Sequence, residues 1–195
     1  MAAPLSKTIG DFNGKWVMNK SESTSVEPGL ILQNIGWVTR KIVAASTITL
    51  SVNQYTGPPS PPAEPTEAAV THIEIEQTGT AGLKGSTEKR CLDFTFREHT
   101  DWLFGTVRGQ SKWIALPNID DAFLAEGWLE GDEEKTGPGG ESHVLSHVES
   151  VDNGWTATQI WGFKLVEGVR KYARNIVVAK GTERAELKLV YDYFE

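Results

Sequence analysis

DFNGKW at residues 11–16, GWVTRKI at 36–42 and TITLSVN at 47–53 stand together in the first quarter of the chain. TITLSVN alternates apolar and polar residues with period two, the pattern of a half-buried strand. The stretch before it, residues 26–45, reads as helix bracketing Gly36, and Pro28 falls near a helix start, where its missing N–H costs nothing. The order is therefore strand, helical lid, return to strands. A small antiparallel barrel encloses a cavity, and a cavity that holds a ligand needs one end closed or gated. The opening quarter predicts a container.

Outward from that block the period-two pattern persists in VTHIEIEQ (70–77), KRCLDFTFR (89–97), DWLFGTVR (101–108), HVLSHVESV (143–151) and WTATQIWGF (155–163). These runs are rich in β-branched and aromatic residues and are separated by turn signals such as Asp152-Asn153-Gly154. Many short, evenly spaced strands predict a sandwich or barrel, with residues 119–126 as one further helical stretch. Two segments are foreign to a compact barrel. TGPPSPPAEPTE (56–67) holds five prolines, which deny donors to a sheet, and reads as a hairpin loop. GDEEKTGPGGES (131–142) mixes acidic charge with Gly and Pro and reads as mobile. Either is an inert loop or folds over the barrel mouth to recognise something.

Composition bounds the function. At 195 residues the chain reads as one β-barrel domain, residues 1–195, able to bury a core without staples. The single cysteine, Cys91, sits in an alternating strand and reads as packing. One thiol and no charged-then-apolar leader point to a cytoplasmic setting. No apolar run approaches the ~20 residues of a membrane span. A net charge of −7 disfavours a nucleic-acid partner, since phosphate binding rests on concentrated Lys and Arg. The HExxH, paired-cysteine, Gly-x-Ser-x-Gly, P-loop and dinucleotide patterns are absent, so no metal or cofactor is expected.

Phe12, Gly14 and Trp16, followed by Gly36, Val38, Thr39, Arg40 and Lys41, resemble the opening of the intracellular fatty-acid-binding proteins of the calycin (lipocalin-like) group. Leu165, Val166, Glu167 and Gly168 resemble the turn before that family's penultimate strand, and the aromatic end of the chain resembles its last strand. The resemblance is clear at both ends and weak over residues 54–142. It implies an all-β, up-and-down antiparallel barrel of about ten strands with a short helical lid, binding a hydrophobic small molecule. The family's carboxylate-binding arginines would fall at Tyr191, with Tyr193 as the retained tyrosine, and at Phe163, so neither is present. An unpaired buried carboxylate is costly, so the expected ligand is neutral or aromatic.

Alternation places Gln159, Trp161 and Phe163 on one inner face, and Leu187, Leu189, Tyr191 and Tyr193 on another. Trp37 on the lid and Trp128 on a neighbouring strand would add flat walls, suited to planar ligands. Trp16 reads as structural, closing the barrel base. His143, His147 and Glu149 share one face of a strand, and the family resemblance points that face inward. His147 and Glu149, with Tyr191 and Tyr193, would make an acid–base set. His72, Glu74 and Glu76 also alternate, and read as a solvated face opposite Ile73 and Ile75. The first functional reading is a binder of a hydrophobic small molecule. The second is a cofactor-independent cyclase or isomerase that folds a hydrophobic natural-product intermediate into a reactive conformer.

Overall fold

Residues 1–63 and 68–195 are described by the computed structural model. The chain runs β1 (Gly14–Met18), α1 (Glu27–Leu32), α2 (Trp37–Ala45), β2 (Ile48–Gly57), β3 (Val70–Gly79), β4 (Ser86–Cys91), β5 (Arg97–Asp101), β6 (Gly105–Ile114), β7 (His143–Ser150), β8 (Trp155–Val166), β9 (Val169–Lys180) and β10 (Glu183–Tyr193). The strands form one antiparallel sheet in the order β4-β3-β2-β1-β10-β9-β8-β7-β6-β5. The first strand thus pairs with the last, and the sheet curls into a nearly closed barrel whose two edges are β4 and β5. This is the fatty-acid-binding-protein-like calycin barrel that the two chain ends implied. The proline-rich segment does join β2 to β3, although residues 64–67 of it lie outside the described residues.

Turn chemistry sets the register. Val166 pairs with Val169 across a two-residue loop in which Glu167 and Gly168 have φ of 50° and 78°. Positive φ at both positions is what a tight hairpin turn matching the strand twist requires. The lid is built by equally local means. Gly36 caps α2, Pro28 occupies the first turn of α1, and Gly29 lets α1 approach the wall. A Cβ on Gly29 would stand 2.7 Å from Leu187 Cδ1, so the close seating of α1 on β10 depends on glycine.

One barrel end is filled by aromatics. Trp16, fully buried, donates its indole N–H to the Phe12 carbonyl at 2.9 Å. Its ring lies 5.0 Å from Tyr193, 5.3 Å from Tyr172 and 6.1 Å from Phe163. Trp16 therefore closes the base, as the sequence suggested.

The segment between β6 and β7 wraps the outside of the barrel. Leu124, Phe123 and Trp128 pack on Ile160 and Val177, which point away from the cavity. That is why β9 reads as a continuous buried run: one face lines the interior and the other lies under this segment. Asn175, fully buried, donates to the carbonyls of Phe123 and Glu126 at 2.9 and 3.1 Å. Residues 119–126, expected as helix, are turns held by these bonds and by the Asp121 carboxylate, which accepts from the Phe123 and Leu124 amides.

Residues 131–142 are anchored where composition predicted mobility. Glu134 receives two hydrogen bonds of 2.7 Å from Arg170, and Gly10 donates its amide to Thr136 Oγ1 at 2.9 Å. One of its acidic residues, Glu134, is a buried tether, while Asp132 and Glu133 stay exposed. Glu134 is 3% exposed and Arg170 10%, so truncating the carboxylate strands a charge. Glu134→Ala is expected to cost about 3 kcal/mol. Thermal unfolding followed by circular dichroism should fall by roughly 10 °C, with faster proteolytic nicking within 131–142.

Candidate functional site

Between the aromatic base and the helical lid lies a cavity of about 800 Å³. Its lid-side walls are apolar, from Leu30 of α1, Val43 of α2, Trp155 and Ala157 of β8, and Val178 and Leu187 of β9 and β10. Its deeper wall carries charge.

Arg174 stands at the centre of that deeper wall. On β9 it is opposite Trp161 of β8 and Leu189 of β10, and residues directly opposite in an antiparallel pair share a face. Arg174 is 3% exposed. Its guanidinium carbon lies 4.2 Å over the Trp161 ring and 5.7 Å from the Tyr191 ring. Nε donates to the Tyr172 hydroxyl at 3.0 Å. Nη1 is 3.7 Å from the Glu88 carboxylate, beyond a hydrogen bond, and Nη2 has no partner among the described residues.

Glu88 comes from β4 across the barrel and accepts from Gln77 at 2.5 Å and Arg90 at 3.3 Å. Burial raises its pKa, but Arg174 and Arg90 together hold it below the usual carboxylate value. Two guanidiniums and one ionised carboxylate therefore face one another in the interior. Burial raises the Tyr191 pKa, partly offset by Arg174, so this phenol stays protonated at neutral pH. Beside them Gln159 accepts the Trp161 indole N–H on Oε1 at 3.0 Å, which orients the amide.

The expected site residues divide into three groups. Gln159, Leu189 and Tyr191 line the cavity. Trp161, Phe163 and Tyr193 are on the inner face as expected, but belong to the aromatic packing of the base. Trp37, Trp128, His143, His147 and Glu149 are not in the cavity. Trp37 is 63% exposed in the first turn of α2, while Val43 of that helix turns inward. Trp128 is on a loop, not a strand, and lies outside the barrel with its indole N–H bonded to the Leu124 carbonyl at 2.7 Å.

The face assigned to β7 has to be reversed. Ser146 pairs with Gln159 and Val148 with Ala157, so Val144, Ser146 and Val148 point inward with them. His147 pairs with Thr158 and points out. His147 and Glu149 do meet, at 3.3 Å, but on the outer surface, where Arg108 binds the carboxylate at 2.6 Å. His143, fully buried under the wrapping segment, contacts Glu130 at 2.5 Å. Burial lowers its pKa and Glu130 opposes that shift. His72 is on the face opposite Ile73 and Ile75, stacked on Tyr55 at 4.9 Å, but that position is not solvated as expected: His72 is buried, with Nε2 2.8 Å from the Pro58 carbonyl, and borders the cavity.

Sequence reasoning missed Arg174 and Glu88. The signal for Arg174 was its phase: with Tyr172, Ile176 and Val178 it occupies alternate positions of a strand, so it had to share their inward face. Glu88 had no such signal, because STEKRC is polar on both faces.

No family model matches the chain. Among solved structures, the fatty-acid-binding protein of Manduca sexta aligns with a TM-score of 0.51 at 10% identity, over 93% of this chain and 99% of that one. Human cRBP IV aligns at 0.51 and 12% identity, over 94% and 98%. These likenesses concern the fold alone. Among curated proteins, the chain is 32% identical to "Probable pericyclase scpY" of Mollisia scopiformis, over 98% of this chain and 94% of that protein. It is 30% identical to "Pericyclase pydY" of Acremonium sp over 99% and 97%. Such identity along almost the whole length of both chains means that this protein belongs to the family of these pericyclases.

Proposed function

We propose that the protein is itself a pericyclase, which takes a hydrophobic, polyunsaturated small molecule into the barrel in the cytoplasm and closes a ring in it. The observation that carries this reading is the 32% identity to a probable pericyclase along nearly the full chain. The cavity supports it. About 800 Å³ falls within the ~300–1,000 Å³ range of small-molecule sites. Binding of a hydrophobic ligand is the first step whether the protein is carrier or catalyst. Catalysis adds the demand that the bound conformer be close to the reacting geometry.

A pericyclic step moves the substrate's own electrons around a ring, so it requires no nucleophile, redox group or proton relay. What a protein can supply is orientation, exclusion of alternative conformers, and fixed dipoles where charge develops. The apolar walls under the lid would hold a folded chain, and the charged deeper wall would fix one end of it. His147 and Glu149, on the outer surface, have no part in this scheme.

An intramolecular ring closure conserves mass, which sets the test. Deleting the gene in its host should cause an isomer of the normal product to accumulate, resolved by chromatography at identical mass. Purified protein should convert that isomer with no added cofactor; its return unchanged, though bound, would make the protein a carrier. Variants locate the reaction. Ala157→Trp, which fills the cavity, should lower conversion about tenfold or more. His147→Ala should leave conversion within about twofold, as expected of a surface change remote from the reacting groups.

A further inference from the structure

Arg174 keeps more hydrogen-bonding capacity than its surroundings use. A guanidinium has five N–H donors. Only Nε finds an acceptor among the described residues, the Tyr172 hydroxyl; Nη1 stands 3.7 Å from Glu88 and Nη2 has no partner. Unsatisfied buried donors are costly, and these belong to a side chain in the wall of the cavity. Gln159 stands diagonally next to Arg174 on the inner face, since Trp161 pairs with Arg174 and Gln159 with Ile176. Its amide oxygen is taken by Trp161, which leaves its N–H₂ group as a second donor facing the same space.

We propose that Arg174 and Gln159 form the seat for a carbonyl oxygen conjugated with the substrate's unsaturated chain, so that the ligand class is a polyene ketone, ester or amide and not a hydrocarbon. The proposal rests on the pericyclase reading and specifies its substrate. A carbonyl oxygen accepts from both donors without bringing a charge. A carboxylate would be drawn by Arg174 and Arg90 but repelled by the ionised Glu88 that already sits against both, so it gains less here than at an uncompensated cation. From this seat the chain extends toward the apolar walls beneath α1.

The seat also acts on the reaction. Hydrogen bonds to the oxygen draw density from the adjoining double bond, which makes it a better electron-poor partner in ring closure. Charge that grows on the oxygen meets a cation already fixed by Trp161, Tyr172 and Glu88. Arg174 keeps all its protons and forms no bond to carbon. Every bond made or broken belongs to the substrate.

Three probes of similar shape test the seat in the intact protein: diphenylhexatriene, a polyene hydrocarbon; dibenzylideneacetone, a conjugated ketone; and cinnamylideneacetic acid, a conjugated carboxylate. The ketone should bind with its absorption moved to longer wavelength. Arg174→Met should abolish that shift and weaken ketone binding about tenfold, while hydrocarbon binding stays within twofold. The double variant Arg174→Met with Glu88→Gln leaves no stranded carboxylate at the seat and should behave alike if the single variant folds poorly. Wild type that binds the ketone without a spectral shift, or variants that bind it as wild type does, would overturn the seat. Tighter, Arg174-dependent binding of the carboxylate would overturn the neutral ligand class. Failure of the hydrocarbon and the ketone alike to enter wild type would count against the proposed function itself.

Discussion

The two-residue turn at Glu167-Gly168 is the constraint from which the interior follows. It locks β8 to β9 with Val166 opposite Val169, and a strand locked at one end is locked along its length. Trp161 must then face Arg174, and Gln159 must face Ile176. β7 pairs in turn with β8 across its own turn at residues 151–154, and that pairing sends Ser146 and Val148 inward and His147 outward. A slip of one residue would exchange every one of these faces. The charged wall and the aromatic base are thus consequences of one register, and the outward His147 of the next.

That dependence also explains what could be read from the sequence. The barrel was legible because its ends carry strong local signals: TITLSVN alternates, Gly36 divides two helices, and Glu167-Gly168 announces a hairpin. The inner faces of β8 and β10 were legible for the same reason, being counted from that turn and from the terminus. His147 and Glu149 were misplaced because the face of β7 was taken from the family resemblance and not counted through the Asp152-Asn153-Gly154 turn that joins it to β8. Counting through the pairing with β8 corrects it. The buried tether at Glu134 was illegible in principle, since one acidic residue among four in a Gly- and Pro-rich stretch gives no hint of an arginine on a distant strand.

The wall that carries Arg174 is supported from both sides. Inside, it meets the aromatic base; outside, the segment between β6 and β7 covers it, with Asn175 and Lys164 bonded to that segment's carbonyls. Burial takes the Lys164 ammonium down to about 8, yet it lies 4.1 Å over the Trp128 ring with two oxygen acceptors. Packing of this density allows few alternative arrangements. The opposite wall, at the edges β4 and β5, is paired on one side only, β4 with β3 and β5 with β6, and Arg97 of β5 is tied to Asp93 at 2.6 Å and to the carbonyls of Ser60 and Pro61.

This asymmetry suits the proposed chemistry. Each tenfold in rate requires only about 1.4 kcal/mol, and a pericyclic barrier falls when the reacting ends are held together and kept from unfolding. A rigid wall with fixed donors can hold one end of a flexible chain while apolar walls compress the rest. A barrel built to enclose a hydrophobic molecule already meets most of those demands. What separates catalyst from container is then small in structural terms: a cavity shaped to one conformer, and a cation whose N–H groups await an oxygen only that conformer presents.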